Sequence, residues 1–405
     1  MSRCLRGLLL AAAALHGAVA AAQELPPELG RYMPRYPGLY VEGGAWQDDR
    51  DRTFDAQGHR RDSAAPQAGA SPTGFPATGG IVTFTWHFPM FESYGLGFFS
   101  DRTHLARATL GYTNTRTEGG LAAFVNDTSD DARTEADGLE NNGSGVGDLT
   151  LEMGSFLAGT RGWRQGERHA FALLMLGGLT IPTGVNEREG PVSSGNNTWS
   201  VHGTLGLHWQ PWDGGFVDAG IGYRRYSHTQ EAAFGGLAPF KQGDDRTWNL
   251  GYTQRLIPDL YLGAAISDRE GWRNTYRDPR YAPNAPPPPD ASTDTYPTPG
   301  TYRDAGTSLN VRTTSLYYFI TQRWLAAVHY DFPFAGRGGQ FLLPFSTKSP
   351  AGCTPGAPSC NIGSGQTILV DGMGPARSYS TERITLTLTH NFGLGDTFTC
   401  TGCKR

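Results

Sequence analysis

The chain has 405 residues, with 38 Asp and Glu against 34 Lys and Arg, a formal charge of −4 and an isoelectric point near 6.2. That balance supplies no basic patch to neutralise phosphates, so nucleic acid is not an expected partner. A mean hydropathy of −0.41 and the absence of any apolar run of about twenty residues past the N-terminus exclude a helical membrane protein, while 55 glycines and only 38% hydrophobic residues are unlike a pair of ordinary soluble domains.

Arg3 and Arg6 form a short basic region, residues 8–15 are apolar, and Ala20 and Ala22 fit an A-x-A cleavage rule before Gln23. This predicts a secretory signal peptide over 1–22, too short to span a membrane as an anchor. Cys4 precedes the apolar stretch, so it is not the lipid-bearing cysteine of a lipoprotein signal. Loss of the signal removes two arginines and no acid, taking the formal charge from −4 to −6. Residues 23–37 are expected to form an N-terminal periplasmic segment.

From there the chain alternates with period two, and helical periodicity is nearly absent. Val82, Phe84, Trp86 and Phe88 alternate with Thr83, Thr85 and His87. Over 199–209, Trp199, Val201, Gly203, Leu205, Leu207 and Trp209 share one face, and Ser200, His202, Thr204, Gly206 and His208 share the other. Trp248, Leu250 and Tyr252 repeat the pattern, as do Trp324, Ala326, Val328, Tyr330 and Phe332. Ten rises of roughly 3.3 Å, tilted about 40°, project to about 25 Å, the height of an outer-membrane barrel's apolar band. The tryptophans closing 199–209 at both ends suit the two membrane interfaces.

Strands are predicted over 38–48, 80–89, 103–115, 146–160, 168–181, 198–210, 215–229, 246–256, 260–272, 307–321, 323–335 and 381–392. Tight turns at 211–214, 257–259 and 322 alternate with long connections at 49–79, 116–145, 182–197, 230–245, 273–306 and 336–380; the 90–102 connection is of middling length and falls on the short side. A soluble sandwich also alternates but usually has short connections at both ends. The fold class is therefore all-β: a transmembrane antiparallel meander barrel of about 12 strands, with short periplasmic turns and long external loops. The barrel covers 38–392, and 393–405 form a C-terminal periplasmic tail. Residues 116–145 carry seven acids and two arginines and read as a solvated loop. Residues 273–306 hold eight prolines and are expected to form no regular ladder. Ile384, Leu386, Leu388, His390 and Phe392 end the last strand like the segment that outer-membrane assembly machinery recognises, although thirteen residues follow.

Two stretches carry a resemblance. Ser144-Gly145-Val146-Gly147-Asp148-Leu149-Thr150-Leu151 opens one long strand, and Gly178-Leu179-Thr180-Ile181-Pro182-Thr183-Gly184 closes the next. A G-x-GDL strand followed about thirty residues later by L-x-x-PTG resembles the outer-membrane family named for the meta-pathway of phenol degradation. The resemblance implies a transporter or porin barrel for hydrophobic or aromatic compounds. The proline-rich segment, two cysteine pairs and the tail depart from the family pattern. Taken on their own chemistry, Gly145 and Gly147 suit a loop entering a strand, Asp148 suits bonding to nearby backbone donors, and Pro182, Thr183 and Gly184 end the partner strand at the external rim.

The candidate lumen-lining residues are His202, His208, Asp218, Arg224, His329, Asp331 and Arg383, with Glu152. His329 lies two residues from Asp331 on one face, but sequence attaches no serine to these histidines, so polar lining outweighs a nucleophilic site. Asp127, Asp130 and Asp131 lack calcium-loop spacing. No catalytic residue, cofactor or metal is expected. Expected partners are outer-membrane lipids, small-molecule solutes and the assembly machinery. The alternatives are a barrel enzyme acting on lipids or esters and a structural or adhesive surface barrel.

Four cysteines follow the signal: Cys353, Cys360, Cys400 and Cys403. In an oxidising compartment disulfides outrank free thiols, and the C-x-x-C of Cys400 and Cys403 lacks the context of a redox or zinc site. The topology places Cys353 and Cys360 outside the cell and the other two in the periplasm. A disulfide needs α-carbons within about 7 Å, whereas a bilayer of roughly 30 Å separates the sets. Non-reducing peptide mapping should therefore show Cys353 bonded to Cys360, and a fragment joining either to Cys400 or Cys403 would contradict the topology.

Overall fold

A computed structural model describes residues 31–32, 38–49, 52–54, 58, 60–62, 77–89, 103–115, 143–159, 169–184, 198–233, 236–277, 301–303, 306–321, 323–337, 340–345, 366–371 and 382–392. The signal segment 1–22, the tail 393–405, Asp127, Asp130, Asp131 and the four cysteines lie outside them. Twelve strands form the barrel: β1 (Gly38–Asp49), β2 (Ala77–Pro89), β3 (Thr103–Thr115), β4 (Leu149–Gly159), β5 (Ala170–Ile181), β6 (Ser200–Trp212), β7 (Gly215–Tyr226), β8 (Asp245–Ile257), β9 (Leu260–Gly271), β10 (Thr307–Thr321), β11 (Trp324–Arg337) and β12 (Glu382–Asn391). Each pairs antiparallel with its neighbour in sequence, and β1 closes the sheet on β12, with Tyr40 opposite Asn391 and Asp49 opposite Glu382.

The twelve predicted strands are all present. The main differences lie at their ends. β2 begins at Ala77, because Ala77, Thr78 and Gly79 pair with Asp48, Gln47 and Trp46 despite showing no alternation of their own. The predicted strand 146–160 is split at Gly147 and Asp148, and Gly143–Val146 pairs with the external end of β3 before β4 starts. The tight turn between β6 and β7 works because Gly214 sits at φ +78°, a backbone region that favours glycine.

Segment 273–306 corrects an expectation. Thr275–Arg277 pairs with Thr301–Arg303, and Thr275 and Tyr276 also pair with Lys241 and Phe240 of a hairpin formed by His228–Ala233 and Gly236–Lys241 in the connection between β7 and β8. The eight prolines all fall between 279 and 299, so both flanks keep the amide donors that a ladder needs.

Facing follows the period-two pattern. On β6, Val201 and Leu205 are 54% and 41% exposed, whereas His208 and Gln210 are 0% exposed. Exposed aromatics gather towards both ends. Trp86, Phe171, Trp209, Trp212, Tyr252, Tyr318 and Trp324 lie towards the short turns, and Trp199, Tyr223, Trp248 and Tyr330 lie towards the long connections. Between them the outer face is aliphatic, with Leu110, Met153, Met175, Leu205, Ile221, Leu250, Ile266, Leu316, Val328 and Leu386. An apolar band between aromatic girdles matches the cross-section of a bilayer.

Leu205 stands near the middle of this band, and Thr204 faces inward beside it. Leu205→Arg should therefore cost about 2–4 kcal/mol, and Thr204→Arg clearly less. Urea titration in lipid vesicles compares the two; equal losses would mean the facing is wrong.

Candidate functional site: the barrel lumen

The short-turn end of the lumen carries an apolar layer. Phe216 stacks on Tyr261 with centroids 5.9 Å apart, Tyr261 meets Phe319 edge-on at 5.7 Å, and Tyr317, Leu325 and Ala327 complete the cluster. Polar pairs adjoin it. His208 Nδ1 lies 2.8 Å from Asp218 Oδ1, Ser315 Oγ lies 2.8 Å from His329 Nδ1, and Thr313 donates to Asp331 at 2.6 Å. The structure thus gives His329 a serine neighbour that sequence did not reveal, but both side chains are buried. At the closing seam Arg383 of β12 donates to its cross-strand partner Asp48 of β1 at 2.6 Å and lies over the Trp46 ring.

The N-terminal segment differs from expectation where it is described. Arg31 and Tyr32 lie inside the barrel rather than in the periplasm. Tyr32 is 2% exposed and packs with Leu105, Phe156, Ala172, Leu174 and Leu176. Its backbone N–H reaches Asp218 at 3.4 Å, and its hydroxyl lies 3.2 Å from Asn249 Oδ1 and 2.9 Å from Nδ2. The opposite wall is Gly206 on β6 and its cross-strand partner Gly220 on β7. A Cβ on either glycine would overlap the Tyr32 ring or hydroxyl. The sheet leaves room for this side chain by omitting two of its own.

On the long-connection side of Tyr32 lies a cavity of about 140 Å³. Ile81, Leu174, Leu176 and the Tyr32 ring give it an apolar wall, and Thr204, Thr247 and Arg224 border another part. Glu152 holds two partners there, His202 Nε2 at 3.0 Å and Arg107 at 3.5 Å, and Arg269 donates to Asp245 at 2.6 Å. Four guanidinium groups (Arg31, Arg107, Arg224 and Arg269) and three carboxylates (Asp148, Glu152 and Asp245) line the cavity, so its charges largely balance. No group of three or more His, Cys, Asp or Glu side chains among the described residues is arranged to hold a metal ion.

The two sequence motifs meet at the external rim. Thr183 Oγ1 accepts from the Leu149 amide at 2.9 Å and donates to the Gly147 carbonyl at 3.1 Å. Asp148 Oδ1 accepts from the Gly184 amide at 3.1 Å, and the Gly147 amide reaches back to the Gly111 carbonyl at 3.0 Å. Gly145 pairs with Thr113, and Pro182 follows the last residue of β5. The G-x-GDL and PTG stretches thus form one clasp that joins β4 to β5 and borders the cavity through Asp148. Thr183→Val should lower stability by about 1–2 kcal/mol and Thr183→Ser should be nearly neutral, because serine keeps both bonds. Unfolding in lipid vesicles followed by tryptophan fluorescence measures the difference.

An outer membrane channel from Pseudomonas putida F1 superimposes on 90% of this chain and 100% of its own, with a TM-score of 0.57 and 15% identity. A deltaS2 mutant of the monoaromatic hydrocarbon channel TodX aligns over 88% of this chain and 91% of its own, at a TM-score of 0.38 and 11% identity. No curated protein matches the chain in sequence. Residues 45–270, more than half of the 405, match the family described as "Putative MetA-pathway of phenol degradation" and include both halves of the clasp. The chain belongs to that family.

Proposed function

We propose that this protein is a channel of the bacterial outer membrane for small solutes, with hydrophobic or aromatic compounds as its cargo. The observation that carries this reading is the cavity of about 140 Å³ inside a closed barrel, bounded on one side by the Tyr32 ring, Leu174 and Leu176 and on another by Thr204, Thr247 and Arg224. Such a surface admits an apolar ring while keeping polar groups for orientation. Family membership and a fold shared with a Pseudomonas channel support the same reading. His202, Arg224 and Glu152 border the path at the cavity, and His208, Asp218, His329, Asp331 and Arg383 face the lumen nearby.

Turnover is not part of this reading. Among the described residues Ser155 pairs with His104 at 2.7 Å and Ser315 with His329 at 2.8 Å, but both histidines are buried and neither pair lines the cavity through which a lipid or ester would arrive. The surrounding partners are outer-membrane lipids on the apolar band, and the assembly machinery reading the last strand.

Single-channel recording in planar bilayers tests the proposal. The wild-type barrel should conduct weakly, with little ion selectivity because the cavity charges balance. Tyr32→Ala should raise the conductance about twofold or more by widening the lumen. Strong anion selectivity, or unchanged conductance in Tyr32→Ala, would contradict it.

A further inference from the structure

We infer that the seat of Tyr32 is a binding site for a monocyclic phenol, with Tyr32 as its tethered occupant. The role of this site in passage rests on the channel proposed above; its chemistry rests on the seat alone. From its Cβ outward, a tyrosine side chain is 4-methylphenol. The barrel provides for each part of that group. Gly206 and Gly220 leave a flat opening where any Cβ would overlap the ring or hydroxyl. Phe156, Leu174 and Leu176 pack with the occupant in one apolar cluster. Asn249 offers the hydroxyl an acceptor at 3.2 Å and a donor at 2.9 Å.

This last contact makes the seat selective. A hydrocarbon ring of the same size would fill the space but leave the half-buried Asn249 amide without this partner, forfeiting the hydrogen bonds to the hydroxyl. Access comes from the adjoining cavity, which meets the Tyr32 ring directly and measures about 140 Å³. An engineered apolar cavity of roughly 150 Å³ accommodates benzene. A phenol can therefore wait beside the seat and enter it when Tyr32 leaves. The tether lowers the apparent affinity of the wild-type protein in proportion to the time the seat is occupied.

The test is calorimetric titration of 4-methylphenol and toluene into folded protein in detergent, against matched micelle blanks. Tyr32→Ala should bind one 4-methylphenol at least about tenfold tighter than wild type, and roughly tenfold tighter than it binds toluene. Adding Asn249→Leu should erase that preference while toluene still binds. Tyr32→Leu serves as the second variant if Tyr32→Ala does not fold, with heat-modifiable electrophoretic mobility reporting the folded barrel. A folded variant that takes up no 4-methylphenol, or binds toluene equally well with Asn249 intact, would overturn the assignment. A Tyr32→Ala protein that binds 4-methylphenol but conducts no ions would uphold the site and remove the channel. One that conducts but does not bind would do the reverse.

Discussion

A chain that crosses hydrocarbon as strands must find a partner for every backbone N–H and C=O in a neighbouring strand, and an open edge would leave a row of them bare. Most of this structure follows from that constraint. The pairing of β1 with β12 is what allows the other strands to lie in lipid. Closure also creates two solvents for one sheet. Outward positions meet acyl chains and carry Val201, Leu205 and Leu386, while inward positions meet the lumen and carry Thr204, His208 and Thr387. The long connections then gather at one end, where the clasp of Asp148, Thr183 and Gly184 ties β4 to β5.

Closure also sets a packing problem inside the barrel, which this chain solves in layers. Towards the short turns the space is taken by Phe216, Tyr261, Tyr317 and Phe319. Tyr32 fills the middle, seated against glycines. On its far side charges occur largely in compensated sets, as with Glu152 between Arg107 and His202, or Asp245 with Arg269. Charges withdrawn from bulk water are tolerated when paired and hydrogen-bonded, and such pairs narrow a lumen without giving it a strong sign.

The barrel was legible in the sequence because alternation and connection length are both local properties. Trp199 to one face and Ser200 to the other is visible from spacing alone. The apolar layer was not, because residues 316–320 are Leu-Tyr-Tyr-Phe-Ile and a run apolar at every position does not reveal which face turns inward. The clasp was partly legible: the order of the two motifs was visible, but not the bonds from Thr183 to Gly147 and Leu149. Tyr32 was missed because it precedes the first strand in a stretch without periodicity. Its one trace was the presence of Gly206 and Gly220 at inward positions of consecutive strands, where a strand glycine signals close approach by something else. The ladder between Thr275–Arg277 and Thr301–Arg303 was hidden by counting prolines over a whole segment instead of locating them.

The position of Tyr32 joins the fold to the function, since the cavity, the narrowing and the phenol seat all depend on it. Nuclear Overhauser contacts in the lipid-embedded protein measure it directly. The Tyr32 ring protons should show strong cross-peaks to the α-protons of Gly206 and Gly220, with those glycine signals displaced by the ring current. Cross-peaks absent from both glycines in a folded barrel would mean that the segment lies elsewhere, and that the lumen is not organised around this side chain.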